Sequence, residues 1–175
     1  MSEINIILFG NMGSGKTTVA NYLCDNYGYT KFSLGSKIHS ESKLHGNETR
    51  QEMQNYGQAM REIFGINVWC DYVYKQSQGI NKIILDDGRQ ENEFFYFLEK
   101  GYLPVGIVAD ENIRLERLKK RVNYEIDPKT FQHDTEIQVL KCINRCDIKI
   151  YNNGSYEELV QEIENKLGKY LKGGM

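Results

Sequence analysis

The sequence has no excess of one charge, no long apolar run and no repeat, and each lack removes a class of function. Lys and Arg total 22 against 24 Asp and Glu, a formal net charge of −2. That balance provides no basic footprint for nucleic acid and no polybasic membrane patch, although it leaves a local basic channel open. No stretch approaches the length of a membrane span. The N-terminus goes straight into a predicted strand with no signal peptide, so the expected location is cytoplasmic. Cysteines number only four. Cys142 and Cys146 are one helical turn apart, but a zinc site needs two further ligands. All four are read as small buried hydrophobes of a reduced protein. Without linkers or low-complexity tracts, the 175 residues form a single domain, 1–175, with room for a sizeable core.

What is present is concentrated first in GNMGSGKTT, residues 10–18, directly after the apolar run INIILF. Gly10, four residues, then Gly15, Lys16 and Thr17 complete the phosphate-loop pattern. Gly10, Gly13 and Gly15 let the backbone N–H groups of Asn11, Met12, Ser14 and their neighbours turn inward around a phosphate. Lys16 supplies a mobile charge, the Thr17 hydroxyl is a ligand for Mg²⁺, and Thr18 follows on the helix whose positive end adds to the site. The context fits. A β-branched run precedes the loop, and Val19, Ala20, Leu23 and Cys24 recur at helical spacing until Gly28.

Five strands are predicted, at 4–9, 29–33, 82–86, 103–109 and 147–151, with helices between them. Residues 91–100 and 111–122 form two of these helices, the second capped by Asp110. A last one opens on the capping box of Ser155 and Glu158. Strands alternating with helices predict an α/β fold, three-layer α/β/α, with a five-stranded parallel sheet and right-handed crossovers. About 50 residues separate the second and third strands by the same periodicity count, and their spacing is helical. An insertion at about 34–81 into a core of 1–33 and 82–175 is a natural place for a second substrate.

Other residues carry candidate chemistry. Asp86 and Asp87 end the third strand on the edge where the phosphate loop sits, placed to serve a metal together with Thr17 or to take a proton. Arg89 follows them, and Arg50 and Arg61 stand on the insertion; an arginine fork suits phosphate. Arg117 and Arg121 lie one turn apart beside a polar stretch. A lid of about 117–134, carrying one or both to the transferring phosphoryl, is the expectation, with Arg114 on the surface.

The phosphate loop, TRQEMQNYG (49–57), FGINVW (64–69), DGRQENE (87–93), HDTE (133–136) and YNNGSYEEL (151–159) occur in that order. Together they resemble the phage-type deoxynucleoside monophosphate kinases, within the nucleoside monophosphate kinase group of P-loop enzymes that includes dephospho-coenzyme A kinase. The resemblance implies a core, an inserted nucleotide-binding region and a short lid. It implies an acceptor pocket containing Lys37, Arg50 and Trp69, with Trp69 stacking on the base. Asp87 and Arg89 match the family's D-x-R segment, while Gly88 and Gln90 depart from the usual apolar and aromatic residues.

The implied reaction moves the γ-phosphoryl of ATP, with Mg²⁺, onto a deoxynucleoside monophosphate. In this reading Lys16, Arg117, Arg121 and Asp87 are catalytic, and Thr17, Asp86 and Asp87 serve the metal. The partners are a nucleoside triphosphate donor and a small nucleotide acceptor. Two alternatives stay open: a kinase acting on a hydroxyl, of dephospho-coenzyme A or a modified base in DNA, and a regulatory NTPase without an acceptor. The first needs Asp86 or Asp87 as a base; the helical insertion and the arginines argue against the second.

Overall fold

The computed structural model describes residues 4–46, 49–120 and 134–171. Five strands, β1 (Ile6–Phe9), β2 (Thr30–Phe32), β3 (Ile83–Gly88), β4 (Leu103–Val108) and β5 (Ile148–Tyr151), form one sheet. The order is β2-β3-β1-β4-β5, and every pairing is parallel. Among the described residues, eight helices accompany them: α1 (Lys16–Tyr27), α2 (Leu34–Leu44), α3 (Arg50–Phe64), α4 (Val68–Gln76), α5 (Glu91–Glu99), α6 (Glu111–Lys119), α7 (Asp134–Arg145) and α8 (Tyr156–Leu171). Both faces of the sheet are covered, which gives the three-layer α/β/α fold.

The alternation within each strand sorts the core into two layers. Ile6 and Leu8 face α1 and α8, packing with Leu23, Ile163 and Leu167. Ile7 and Phe9 face the opposite side, against Trp69, Val73, Phe94 and Cys142. All four β1 residues are fully buried, as the centre of a parallel sheet requires. Cys70, Cys142 and Cys146 are buried in the second layer. Burial lifts the thiols of Cys142 and Cys146 to about 12, so they stay protonated.

Local chemistry sets the helix ends. Gly28 closes α1 in the left-handed region at φ 72°, its N–H returned to Cys24. Thr49 and Glu52 make a capping box at the start of α3, and Ser155 and Glu158 make the expected one before α8. Asp110 precedes α6 but makes no side-chain cap bond; its N–H instead donates to Asn153 Oδ1 at 2.8 Å.

The pairing of β1 with β3 slips by one residue. Ile7 lies opposite Leu85 but Phe9 lies opposite Gly88, so Asp86 and Asp87 together face the single Leu8. Such a bulge re-aims side chains at the end of a strand. It also accounts for Gly88: a Cβ there would lie 2.7 Å from Phe9 Cε1 and 3.0 Å from the Leu8 carbonyl. No helix among the described residues is long and apolar enough to cross a membrane.

Candidate active site

The loop from Gly10 to Gly15 joins β1 to α1 at the carboxyl edge of the sheet, and Lys16, Thr17 and Thr18 form the first turn of the helix. Gly13 and Gly15 hold φ 81° and 100°, conformations that a side chain would strain. Lys16 folds back over the loop, its Nζ 2.5 Å from the Gly10 carbonyl and 3.4 Å from that of Asn11. The Ser14 hydroxyl is buried and, among the described residues, has no hydrogen-bond partner. Inward glycines, a folded-back lysine and an orphaned hydroxyl make a cradle that fits phosphate oxygens.

Thr17 Oγ1 donates to Asp86 Oδ2 at 3.3 Å, and Lys31 Nζ lies 3.9 Å from the same oxygen. Burial raises the Asp86 carboxyl above its usual value; the charge on Asp87 adds to this, and Lys31, Thr17 and Lys16 offset it in part. Asp87 points elsewhere. Its oxygens accept from Ser33 Oγ at 2.8 Å, Leu34 N at 3.0 Å and Gly35 N at 2.7 Å. The sequence treated the two acids as one pair, whereas the bulge sends Asp86 to α1 and Asp87 to the N-terminal end of α2. Asp87 thus anchors the insertion while still lining the site.

A cavity of about 410 Å³ brings Gly10, Gly13, Lys16 and Thr17 together with Asp86, Asp87, Arg89 and His39. Arg89 is exposed there, and its backbone N–H is held by Glu93 Oε2 at 2.7 Å, with that of Gln90 at 3.0 Å. Glu93 is 5% exposed, and burial lifts its carboxyl to about 7 against those two N–H bonds. Arg61 on α3 lowers it somewhat, so that charge also acts on this region.

Other predicted residues fall outside this cavity or outside the described atoms. Lys37 pairs with Glu41 and sits over the Tyr72 ring at 3.9 Å. It lines a neighbouring cavity of about 640 Å³ that shares Ser33, Ser36 and Asp86 with the first. Trp69 does not offer its face to a base. The ring is 4% exposed in the core, with its indole N–H donated to the Gly57 carbonyl at 3.1 Å. Arg50 is the first residue of α3, but its side chain lies outside the described atoms. Arg121 and His133 lie outside the described residues, as does the lid expected beyond residue 120.

Two residues that the sequence pattern does not mark, Arg114 and Asn152, also meet the phosphate loop. Arg114, expected on the surface, donates from Nη1 to the Met12 carbonyl at 3.3 Å, and its backbone lies against Gly13. Arg117 reaches the Gly13 carbonyl at 3.5 Å and Asn152 Oδ1 at 3.2 Å. Asn152, just after β5, donates from Nδ2 to the Ser14 carbonyl at 2.8 Å. Two asparagines at a strand's carboxyl end were the available signal.

Comparison with known proteins agrees with this geometry. A family model described as an AAA domain (AAA_18) matches residues 6–141. The chain is similar to the adenylate kinase of Pyrococcus furiosus, with 27% identity over 152 residues that span 83% of this chain and 68% of that one. Its fold is similar to that of shikimate kinase from Aquifex aeolicus, with a TM-score of 0.61 and 21% identity over 98% of this chain and all of that one. It is similar too to that of the dephospho-CoA kinase from Campylobacter jejuni, with a TM-score of 0.62 and 15% identity over the full length of both. With a match across more than half of its length and a complete phosphate loop, the chain belongs to the AAA domain (AAA_18) family.

Proposed function

We propose that this kinase transfers the γ-phosphoryl group of ATP, with Mg²⁺, to the phosphate of a deoxynucleoside monophosphate. The observation that carries the reading is a cavity in which the phosphate loop, Asp86 and Arg89 face one another. Loop N–H groups and Lys16 hold the donor phosphates. Thr17 and Asp86 are the pair suited to Mg²⁺, which keeps most of its waters and takes only one or two protein ligands. When bound, the ion neutralises charge between the phosphates. Arg89 and Arg50 grip the acceptor phosphate, and Arg117 and Arg121 meet the charge that develops on the transferred group. His39 lines the same cavity. Trp69 packs in the core beside Tyr56, whose ring centroid lies 6.2 Å away, and Lys37 pairs with Glu41 along α2.

An acceptor phosphate is already ionised near neutrality, so positioning and electrostatics suffice. The three hydrogen bonds to Asp87 leave it poorly placed as a base, which favours this reading. The second reading, a hydroxyl acceptor, draws on Asp86, whose raised proton affinity suits a general base. Incubation with ATP, Mg²⁺ and each deoxynucleoside monophosphate, followed by product analysis, tests the proposal. Diphosphate formation is expected; its absence with every acceptor sinks the reading, even if ATP is hydrolysed.

A further inference from the structure

The carbonyls of residues 10–14 are each met by a side-chain donor: Gly10 and Asn11 by Lys16, Met12 by Arg114, Gly13 by Arg117 and Ser14 by Asn152. Asn152 differs from the rest in burial and in that its side chain both donates and accepts. It is 5% exposed, and its backbone N–H donates to the Val108 carbonyl at 2.8 Å, which fixes it beside the end of β4. Its amide nitrogen holds Ser14 while its amide oxygen accepts from Arg117. Turning the carboxamide over would set its NH₂ against the guanidinium and its oxygen against a carbonyl, so the two partners define its orientation.

The bond to Ser14 bears directly on the phosphate site. The Ser14 carbonyl and the Gly15 N–H belong to one trans peptide plane and point in opposite directions. Holding the carbonyl outward therefore aims the Gly15 N–H inward. Aspartate in this place would lack the donor, and leucine would lack both functions.

We propose that Asn152 is a positioning residue that couples the phosphate loop to Arg117, setting the Gly15 peptide and the arginine with one carboxamide. The coupling rests on the reading above that Arg117 meets the transferred phosphoryl group.

The test compares Asn152→Ala, Asn152→Asp, Arg117→Ala and the Asn152→Ala/Arg117→Ala double variant with the full wild-type chain. Affinity for a fluorescent ATP analogue, kcat and KM with deoxynucleoside monophosphates, and Tm without nucleotide are measured. Asn152→Ala is expected to lower kcat by roughly ten- to a hundredfold, the scale of a small misplacement of a catalytic group, and to weaken nucleotide binding. The double variant should then have a kcat within about twofold of Arg117→Ala alone, since the shared pathway is already cut. Asn152→Asp retains an acceptor for Arg117 but not the donor for Ser14. It should lose nucleotide affinity while lowering kcat less than the alanine variant does. Losses in kcat that multiply in the double variant, or an Asn152→Ala protein with wild-type affinity and kcat, would overturn the coupling. If the alanine variant does not fold, Asn152→Ser carries the same cycle. If the wild type transfers phosphate to no acceptor, the functional reading fails separately. The binding measurement still decides on Asn152, because equal nucleotide affinity in wild type and Asn152→Asp overturns its hold on the loop.

Discussion

Replacing Glu93 by glutamine should flatten the pH dependence of stability. Burial lifts this carboxyl from 4.5 to about 7 in the folded protein. The folded state therefore binds the proton more tightly than the unfolded chain. Stability from this group is complete below the unfolded value and is lost as pH rises to the folded one. The difference of roughly 2.5 units, at 1.36 kcal/mol each, is on the order of 3 kcal/mol. Glutamine still offers an oxygen to the N–H groups of Arg89 and Gln90 but cannot ionise. Any constant packing cost of the amide shifts the comparison without changing its slope. Urea unfolding of both proteins from about pH 4.5 to about pH 8 provides the assay. The variant should gain on the wild type by about 3 kcal/mol across that window, mostly below neutrality. Two stability profiles that run parallel across the window would refute the reasoning.

Four other perturbations follow from the same geometry. Lys16→Ala should cut phosphotransfer by a factor of about 10² to 10³ with little change in Tm, since the lysine faces the loop and not the core; near-normal turnover would remove the donor assignment. Arg89→Ala should raise acceptor KM roughly thirtyfold, about 2 kcal/mol for a charge-assisted contact. Asp86→Asn in a phosphate-acceptor enzyme should be partly rescued by added Mg²⁺, whereas a kcat collapsed at every Mg²⁺ concentration would favour the hydroxyl reading. Gly88→Ala should lower stability by about 1–3 kcal/mol, because the new methyl meets the Phe9 ring and the Leu8 carbonyl; an unchanged urea midpoint would contradict the bulge.

Much of the fold was legible because buried parallel strands are written as short apolar runs. Ile83-Ile84-Leu85 and Val105-Gly106-Ile107-Val108 declare themselves, and each strand was placed within a residue or two of its observed ends. The donor site was legible for another reason: a phosphate loop places its groups within nine consecutive residues. The rest of the cavity is assembled from separate segments, so spacing carries little information there. Trp69 illustrates the difficulty, since an aromatic in an inserted helix reads the same whether it faces a ligand or the core. Asp86 and Asp87 were seen as a pair, but the slip against β1 that divides them is a property of two strands together. Asn152 and Arg114 were missed because their partners are backbone carbonyls, which no sequence pattern marks.

β3 uses two residues where β1 uses one, so the two acids answer to different helices. Substitution at position 86 alters what Thr17 meets and leaves the start of α2 untouched; substitution at 87 does the reverse. The phosphate-loop end and the α2 end of the cavity are thus held by different acids. Removing either acid altogether would be a different event from exchanging it. The pairing would become one-to-one, with Gly88 still opposite Phe9, and a single carboxylate would be left to answer either Thr17 or the start of α2.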